Sequence, residues 1–275
     1  MATRVLLHTL AALDALRYEP TGKRIRADVD GVTALDTTRA LLVWEPQRVV
    51  PQYAVPAADV RAELTPDAPD AGPRHGPGPR PLGPRGVTVL TPDTGFGVHS
   101  TAGQVLTLEV DAIRLPGAAF QPEDPDLDGY VIVDFAALET WWEEDEQIVS
   151  HPRDPFHRVD IRRSSRHVRL ERDGLVLADS HRPTLLFETG LPTRYYLPPE
   201  DVDLTLLTPS ERVTACAYKG MASYHSLPSV ADIAWTYPEP LPDSAAIAGL
   251  IAFFTERTDV TVDGERLERP TTPWS

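Results

Sequence analysis

The sequence predicts a mainly β protein: two tandem modules, β-barrel-like or built of coiled sheets, with a few short helices. Three observations predict it. Short apolar and β-branched runs recur at close spacing, each bounded by Gly, Pro or Asp. Proline makes up 28 of the 275 residues, about twice its usual share of roughly 5%, and without an amide donor it breaks long helices. The halves also carry the same residues at a constant offset of 143. Asp30, Gly31, Asp36, Arg39, Leu42, Glu45, Tyr53 and Pro56 recur as Asp173, Gly174, Asp179, Arg182, Leu185, Glu188, Tyr196 and Pro199. An internal duplication follows, with one module over 1–150 and a second over 151–275.

The elements come in order. Val5–Leu16 reads as a helix, with Leu6, Leu10, Leu13 and Leu16 at helical spacing before Pro20 and Gly22. Strand signals follow at Lys23–Val29, Ala40–Glu45, Pro51–Val55 and Val60–Leu64. Residues 66–86 are a proline- and glycine-rich tract, too poor in apolar groups to pack, and read as an exposed loop or linker. Strands resume at Gly86–Leu90, Gln104–Val110 and Gly129–Phe135. Ala137–Gln147 reads as a helix with Leu138, Trp141 and Trp142 near one side. Its acidic run Glu143–Glu146 reads as a solvated face, without the glycine turn of a calcium loop.

In the second half, strands are expected at Arg166–Glu171, Leu175–Asp179, Thr184–Glu188, Thr193–Leu197, Val202–Leu206 and Val213–Tyr218. Further ones are expected at Ala222–Ser226, Ile233–Tyr237 and Val260–Val262, with Ala245–Phe254 of either type.

Charge and composition exclude several classes. The net charge is −15, which repels phosphate backbones and anionic lipid, so no nucleic-acid or membrane partner is expected. Cys216 is the one cysteine, which rules out an internal disulfide framework and a thiolate-rich metal centre. No run approaches the roughly 20 apolar residues of a membrane span, and the amino-terminal segment reads as a helix rather than a signal peptide. A cytoplasmic protein is expected. Lysine occurs only at Lys23 and Lys219, among 26 basic residues.

The runs DGLVLADSHRPTLLFETGLPTRYYLPPEDV, CAYKGMASYHS, IAWTYPEPLP and IAGLIAFF with DVTVDGE stand in that order over about 166–265. Together they resemble the bacterial family called domain of unknown function 427, and the first half resembles a degenerate copy, as in tandem two-copy members. The resemblance implies a fold similar to small β-rich barrels and a set of suspect positions; the family has no firmly assigned activity. One departure is that Ala217 stands where the family usually has proline before its aromatic-Lys-Gly turn.

Lys219 is the strongest chemical candidate. Arginine does not lose its proton usefully, whereas a lysine buried among aromatics can fall toward neutrality and act as nucleophile or base. Tyr218, Tyr224, Trp235 and Tyr237 are its aromatic neighbours in sequence. In an unbroken strand Cys216, Tyr218 and Tyr224 share one face and Lys219 the other; a bulge at Gly220 would bring Lys219 round. Glu188 ends an apolar run, as Glu45 does in the first half, and either caps the edge of the core or serves as acid–base partner. Tyr196 reads as a core tyrosine or a pocket wall.

Cys216 reads as a buried thiol, since a regular strand turns His225 away from it. His151, His157, His167 and His181 fit no metal-ligand spacing on one element, and no nucleotide-binding glycine loop is present, so neither metal nor cofactor is expected. Two functions remain. One is a small-molecule-binding protein or cofactor-independent enzyme, with Lys219 and Glu188 as catalytic pair and Tyr196, Tyr218, Tyr224 and Trp235 binding a carbonyl-bearing or aromatic metabolite. The other is a non-catalytic interaction or scaffold protein built from duplicated β modules. Under the first, Lys219→Met is expected to spare the fold, since it conserves volume.

Overall fold

The computed structural model describes residues 2, 11–72, 78–82 and 86–273. Its chain divides into two compact units, Met1–Arg80 with Val87–Asp154, and Pro81–Gly86 with Pro155–Ser275. Most of the predicted amino-terminal helix lies outside the described residues; its end is a 3₁₀ turn, Ala12–Asp14, that buries Leu13. Parts of the proline-rich tract, 73–77 and 83–85, lie outside them too. The fold is mainly β, and among the described residues its sheets are open. No helix among these residues is long and apolar enough to cross a membrane.

The second unit carries a seven-stranded antiparallel sheet. Edge to edge it runs Val159–Arg163, Thr184–Glu188, Arg194–Leu197, Ile251–Phe253, Val230–Thr236, Gly220–Leu227 and Thr208–Cys216. A four-stranded sheet, Leu175–Ser180, Val168–Arg172, Asp259–Val262 and Glu265–Arg266, covers one face. Side chains alternate across a strand, so each run of consecutive apolar residues feeds two cores. Leu185, Tyr195, Leu197, Ile251 and Phe253 join Val168, Leu170, Val260 and Val262 between the sheets. On the other face Leu186, Tyr196, Tyr224, Trp235, Tyr237, Ala252 and Phe254 form a second cluster rich in aromatics. Central strands buried on both faces explain why Leu185-Leu186 reads as a continuous apolar run.

The first unit repeats this order. Its large sheet runs Arg17–Pro20, Leu41–Trp44, Gln52–Pro56, Tyr130–Val133, Ile113–Pro122, Gly103–Val110 and Glu63–Pro66. The small sheet runs Val32–Thr37, Ile25–Val29, Thr140–Glu143 and Glu146–Ile148. In both units the first hairpin of the small sheet turns at Asp-Gly: Asp30 and Gly31 have φ of 49° and 74°, Asp173 and Gly174 of 51° and 80°. That left-handed pair matches strand twist.

Two expectations are corrected and one left open is resolved. Ala137–Gln147 is not a helix but the hairpin Thr140–Glu143 and Glu146–Ile148, turned at Glu144 with φ of 53°. Pairing with Ile25–Asp28 overrides the helical spacing, and Trp141 is buried while stacking on both Tyr53 and Phe135. Val202–Leu206 is not a strand: Asp203 accepts a hydrogen bond from the Thr205 amide and starts a 3₁₀ turn over Leu204–Leu206. Ala245–Phe254 divides between the 3₁₀ helix Pro242–Ile247 and the strand Ile251–Phe253.

Candidate functional site

Lys219 sits in a turn, not in a strand. Cys216 pairs with Gly220 across the hairpin Thr208–Cys216 and Gly220–Leu227, leaving Ala217–Lys219 as a three-residue connection. Gly220 has φ of +93°, a left-handed conformation that a side chain resists. The next segment clasps the turn: the Leu241 amide donates to the Lys219 carbonyl at 3.1 Å and Ser244 Oγ to the Tyr218 carbonyl at 3.2 Å. Neither the unbroken strand nor the bulge is what forms. A tight hairpin does, and it places Lys219 on the Cys216 side, close enough for the two to interact electrostatically.

The ammonium is buried, with Lys219 only 7% exposed. Its Nζ donates to Glu188 Oε2 at 2.7 Å. The other oxygen of Glu188, Oε1, lies 3.0 Å from His157 Nε2. His157 precedes the edge strand Val159–Arg163, whose Val159 pairs with Glu188, and its ring packs on Tyr218 at 4.6 Å. Three pieces of chain therefore meet: the end of one strand, the entry to its neighbour, and a hairpin turn.

Electrostatics corrects the idea of a neutral amine. Burial is the largest influence on the Lys219 pKa and works to lower it, but Glu188 and Cys216 together outweigh it and the value is raised. For Glu188, burial pushes upward, yet the charge of Lys219 and hydrogen bonds from His157 and Lys219 bring it down to about 2. The pair is ionised at neutral pH. Such a lysine is a charged donor that can hold an oxyanion or polarise a carbonyl, not a ready nucleophile.

The aromatic residues divide. Tyr196, Tyr224 and Trp235 share one buried cluster, with Tyr196 and Cys216 near enough to Glu188 and Lys219 to act on their charges. Trp235 Nε1 donates to Tyr196 Oη at 3.0 Å, and Tyr224 Oη shares a 2.8 Å hydrogen bond with Thr214 Oγ1. Burial raises the pKa of Tyr196. Their polar atoms are thus engaged within the protein. Tyr218 lies apart, on the turn against His157. Sequence reasoning missed His157, which lies 31 residues before Glu188 and pairs with it only through strand register.

The first unit has an equivalent arrangement with other partners. Glu45, fully buried, follows the second strand of its sheet as Glu188 ends the second strand of the other. Its carboxylate takes the Ser100 amide at 2.8 Å, His99 Nδ1 at 3.2 Å and Arg48 Nε at 3.4 Å. His99 and Ser100 enter the sixth strand, as Lys219 does. His99 also lines a cavity of about 440 Å³ with Val105, Phe120 and Glu123.

A family described as a domain of unknown function (DUF427) matches residues 160–264, a span that holds Glu188, Tyr196, Lys219, Tyr224 and Trp235 and begins just after His157. No curated protein matches the chain.

Proposed function

We propose that the second unit binds a small carbonyl- or carboxylate-bearing metabolite at Lys219, without a cofactor, and that His157 with Glu188 can move a proton there. One observation carries this reading: among the described residues, the buried ammonium of Lys219 has Glu188 as its sole hydrogen-bond acceptor. An ammonium offers three donors. Two remain for a ligand oxygen. A buried ion pair is weak evidence of stability, because apolar residues of similar volume often do as well. Its presence in an otherwise aromatic cluster argues for use.

His157 supplies the rest. Its side chain is 20% exposed, so it marks the solvent side of the group. When Nε2–H donates to Glu188, the lone pair on Nδ1 is the atom of His157 that can accept a proton from a ligand. The rings of His157 and Tyr218, packed on each other, form one side of the site, while Tyr196, Tyr224 and Trp235 shape the wall behind. Lys219 then stabilises developing negative charge on the ligand oxygen.

In this reading the first unit is a degenerate copy of the same module, supported by the shared strand order and by the residues repeated at an offset of 143. Histidine and arginine replace lysine at its carboxylate, leaving one site per chain. A cytoplasmic location agrees with the free Cys216.

The test is a thermal-shift panel of small aldehydes, ketones, mono- and dicarboxylates on the full chain and on Lys219→Met/Glu188→Gln, which removes both charges together. At least one compound should raise the melting temperature of the parent and not of the double variant, with His157→Asn intermediate. A panel in which no compound separates parent from double variant overturns the proposal.

A further inference from the structure

We propose that His167, Asp179 and His181 form a binding site for a borderline transition-metal ion, represented by Zn2+, on the outer face of the small sheet of the second unit. The strand register builds it. Val168 pairs with Ser180 and Arg169 with Asp179, so the same register sets His167 opposite His181 at the open end of the hairpin. Asp179 lies in the strand Leu175–Ser180 and His181 directly follows it, two residues on and on the same face. Val168 and Ser180 between them point into the core, fully or almost fully buried.

The donor atoms converge. One ligand atom from each residue lies within 4.8 Å of the others. His167 Nε2 is 2.7 Å from Asp179 Oδ1, and the two imidazoles stack with centroids 4.2 Å apart and planes 13° apart. Tetrahedral zinc with nitrogen and oxygen ligands needs donors about 3.4 Å apart, from bond lengths near 2.1 Å. Small rotations of exposed side chains supply that change. The carboxylate is already oriented: Arg169 Nη1 holds Asp179 Oδ2 at 2.9 Å, and Oδ1 faces His167 Nε2, where an ion would take the place of the hydrogen bond between them. The His167 backbone is fixed as well, its amide donating to Asp263 Oδ1 at 2.9 Å and its carbonyl accepting from the Asp263 amide at 2.8 Å.

Neighbouring arginines do not forbid a cation, because Arg166 and Arg182 each have their own carboxylate and Arg169 is shared between Asp179 and Glu171. Arg166 pairs with Asp263 at 2.6 Å, Arg182 with Asp201 at 2.9 Å and Arg169 with Glu171 at 3.0 Å. Two imidazoles and one carboxylate suit zinc, copper or nickel rather than calcium or magnesium, which demand more oxygen donors. Three protein ligands leave further positions to solvent, so the ion is exchangeable.

Calorimetric titration of the full chain with zinc chloride, in a buffer containing glycine as weak competitor, tests the site. One zinc per chain is expected, with binding weakened at least about tenfold by His167→Ala or His181→Ala and lost in the double variant. Arg169→Ala, which frees the outer carboxylate oxygen, should weaken it by about tenfold. Electron paramagnetic resonance with one equivalent of Cu2+ should show coupling to two imidazole nitrogens in the parent and not in the double variant. All of these side chains are at the surface, so unchanged circular dichroism is expected and checks the fold. No zinc binding by the parent, or equal binding by parent and double variant, overturns the proposal.

Discussion

Lys219 Nζ and Glu188 Oε2 lie 2.7 Å apart although they belong to opposite ends of one seven-stranded sheet. Glu188 ends the second strand, and Lys219 lies in the turn that joins the sixth and seventh. A flat sheet would hold them several strand spacings apart, at about 4.8 Å per strand. The contact therefore requires the open sheet to coil far enough for the turn at one end to reach the second strand, with the aromatic cluster on that side.

Breaking this pair from one side should cost stability, against the expectation from sequence that Lys219→Met spares the fold. Methionine conserves the volume but takes the ammonium from Glu188, whose side chain is only 9% exposed and keeps, among the described residues, His157 alone as a partner. Loss of one partner of a buried pair costs about 3–5 kcal/mol, whereas replacing both is far milder. Urea denaturation should thus show Lys219→Met as less stable than Lys219→Met/Glu188→Gln. The opposite order would mean that the pair is not buried as described.

Acid should expose the same relationship. The Glu188 pKa is depressed from 4.5 to about 2, with burial opposing and Lys219 and His157 prevailing. A depressed carboxylate adds stability above its unfolded-state value and loses it as pH falls through the folded one. The parent should lose stability relative to Glu188→Gln between about pH 4.5 and pH 2, measured by urea midpoints in steps of pH. Parallel curves for the two proteins would contradict the assignment.

The two lysines should differ in reactivity. The side chain of Lys23 is 43% exposed, that of Lys219 9%, and each pairs with a glutamate. Burial and a raised pKa both protect Lys219 from forming a Schiff base. Brief treatment with an aldehyde and a hydride reductant, followed by peptide mass spectrometry, should label Lys23 first. Faster labelling at Lys219 would restore the nucleophilic lysine.

Gly220→Ala should destabilise the second unit. At φ of +93° a side chain is strained, and a Cβ there would sit 3.4 Å from both the Glu239 carbonyl and the Leu241 amide. A penalty of at least about 1–2 kcal/mol is expected, read as a lower urea midpoint. Gly174→Ala, at φ of +80° with open space around its Cβ, isolates the effect of φ and should cost a similar amount, because 3.4 Å is an ordinary packing distance.

Much of this molecule could be read from residue order. Proline frequency and short apolar runs bounded by Gly, Pro or Asp announced a β fold, because turn-forming residues and strand-forming runs act locally. The repeated residues pointed to two modules, and rarity singled out Lys219. Local patterns also misled where distant pairing overruled them, as at Trp141 and Trp142, whose spacing suits a helix until Arg26 and Ala27 claim them for a sheet. Folding alone decided the rest: the hairpin that buries Lys219, the register that brings His157 to Glu188, and the charge state of the three together. These depend on which strands become neighbours and how far a sheet curls. Contacts between residues 31 apart in the chain are set by that long-range geometry rather than by their own neighbours.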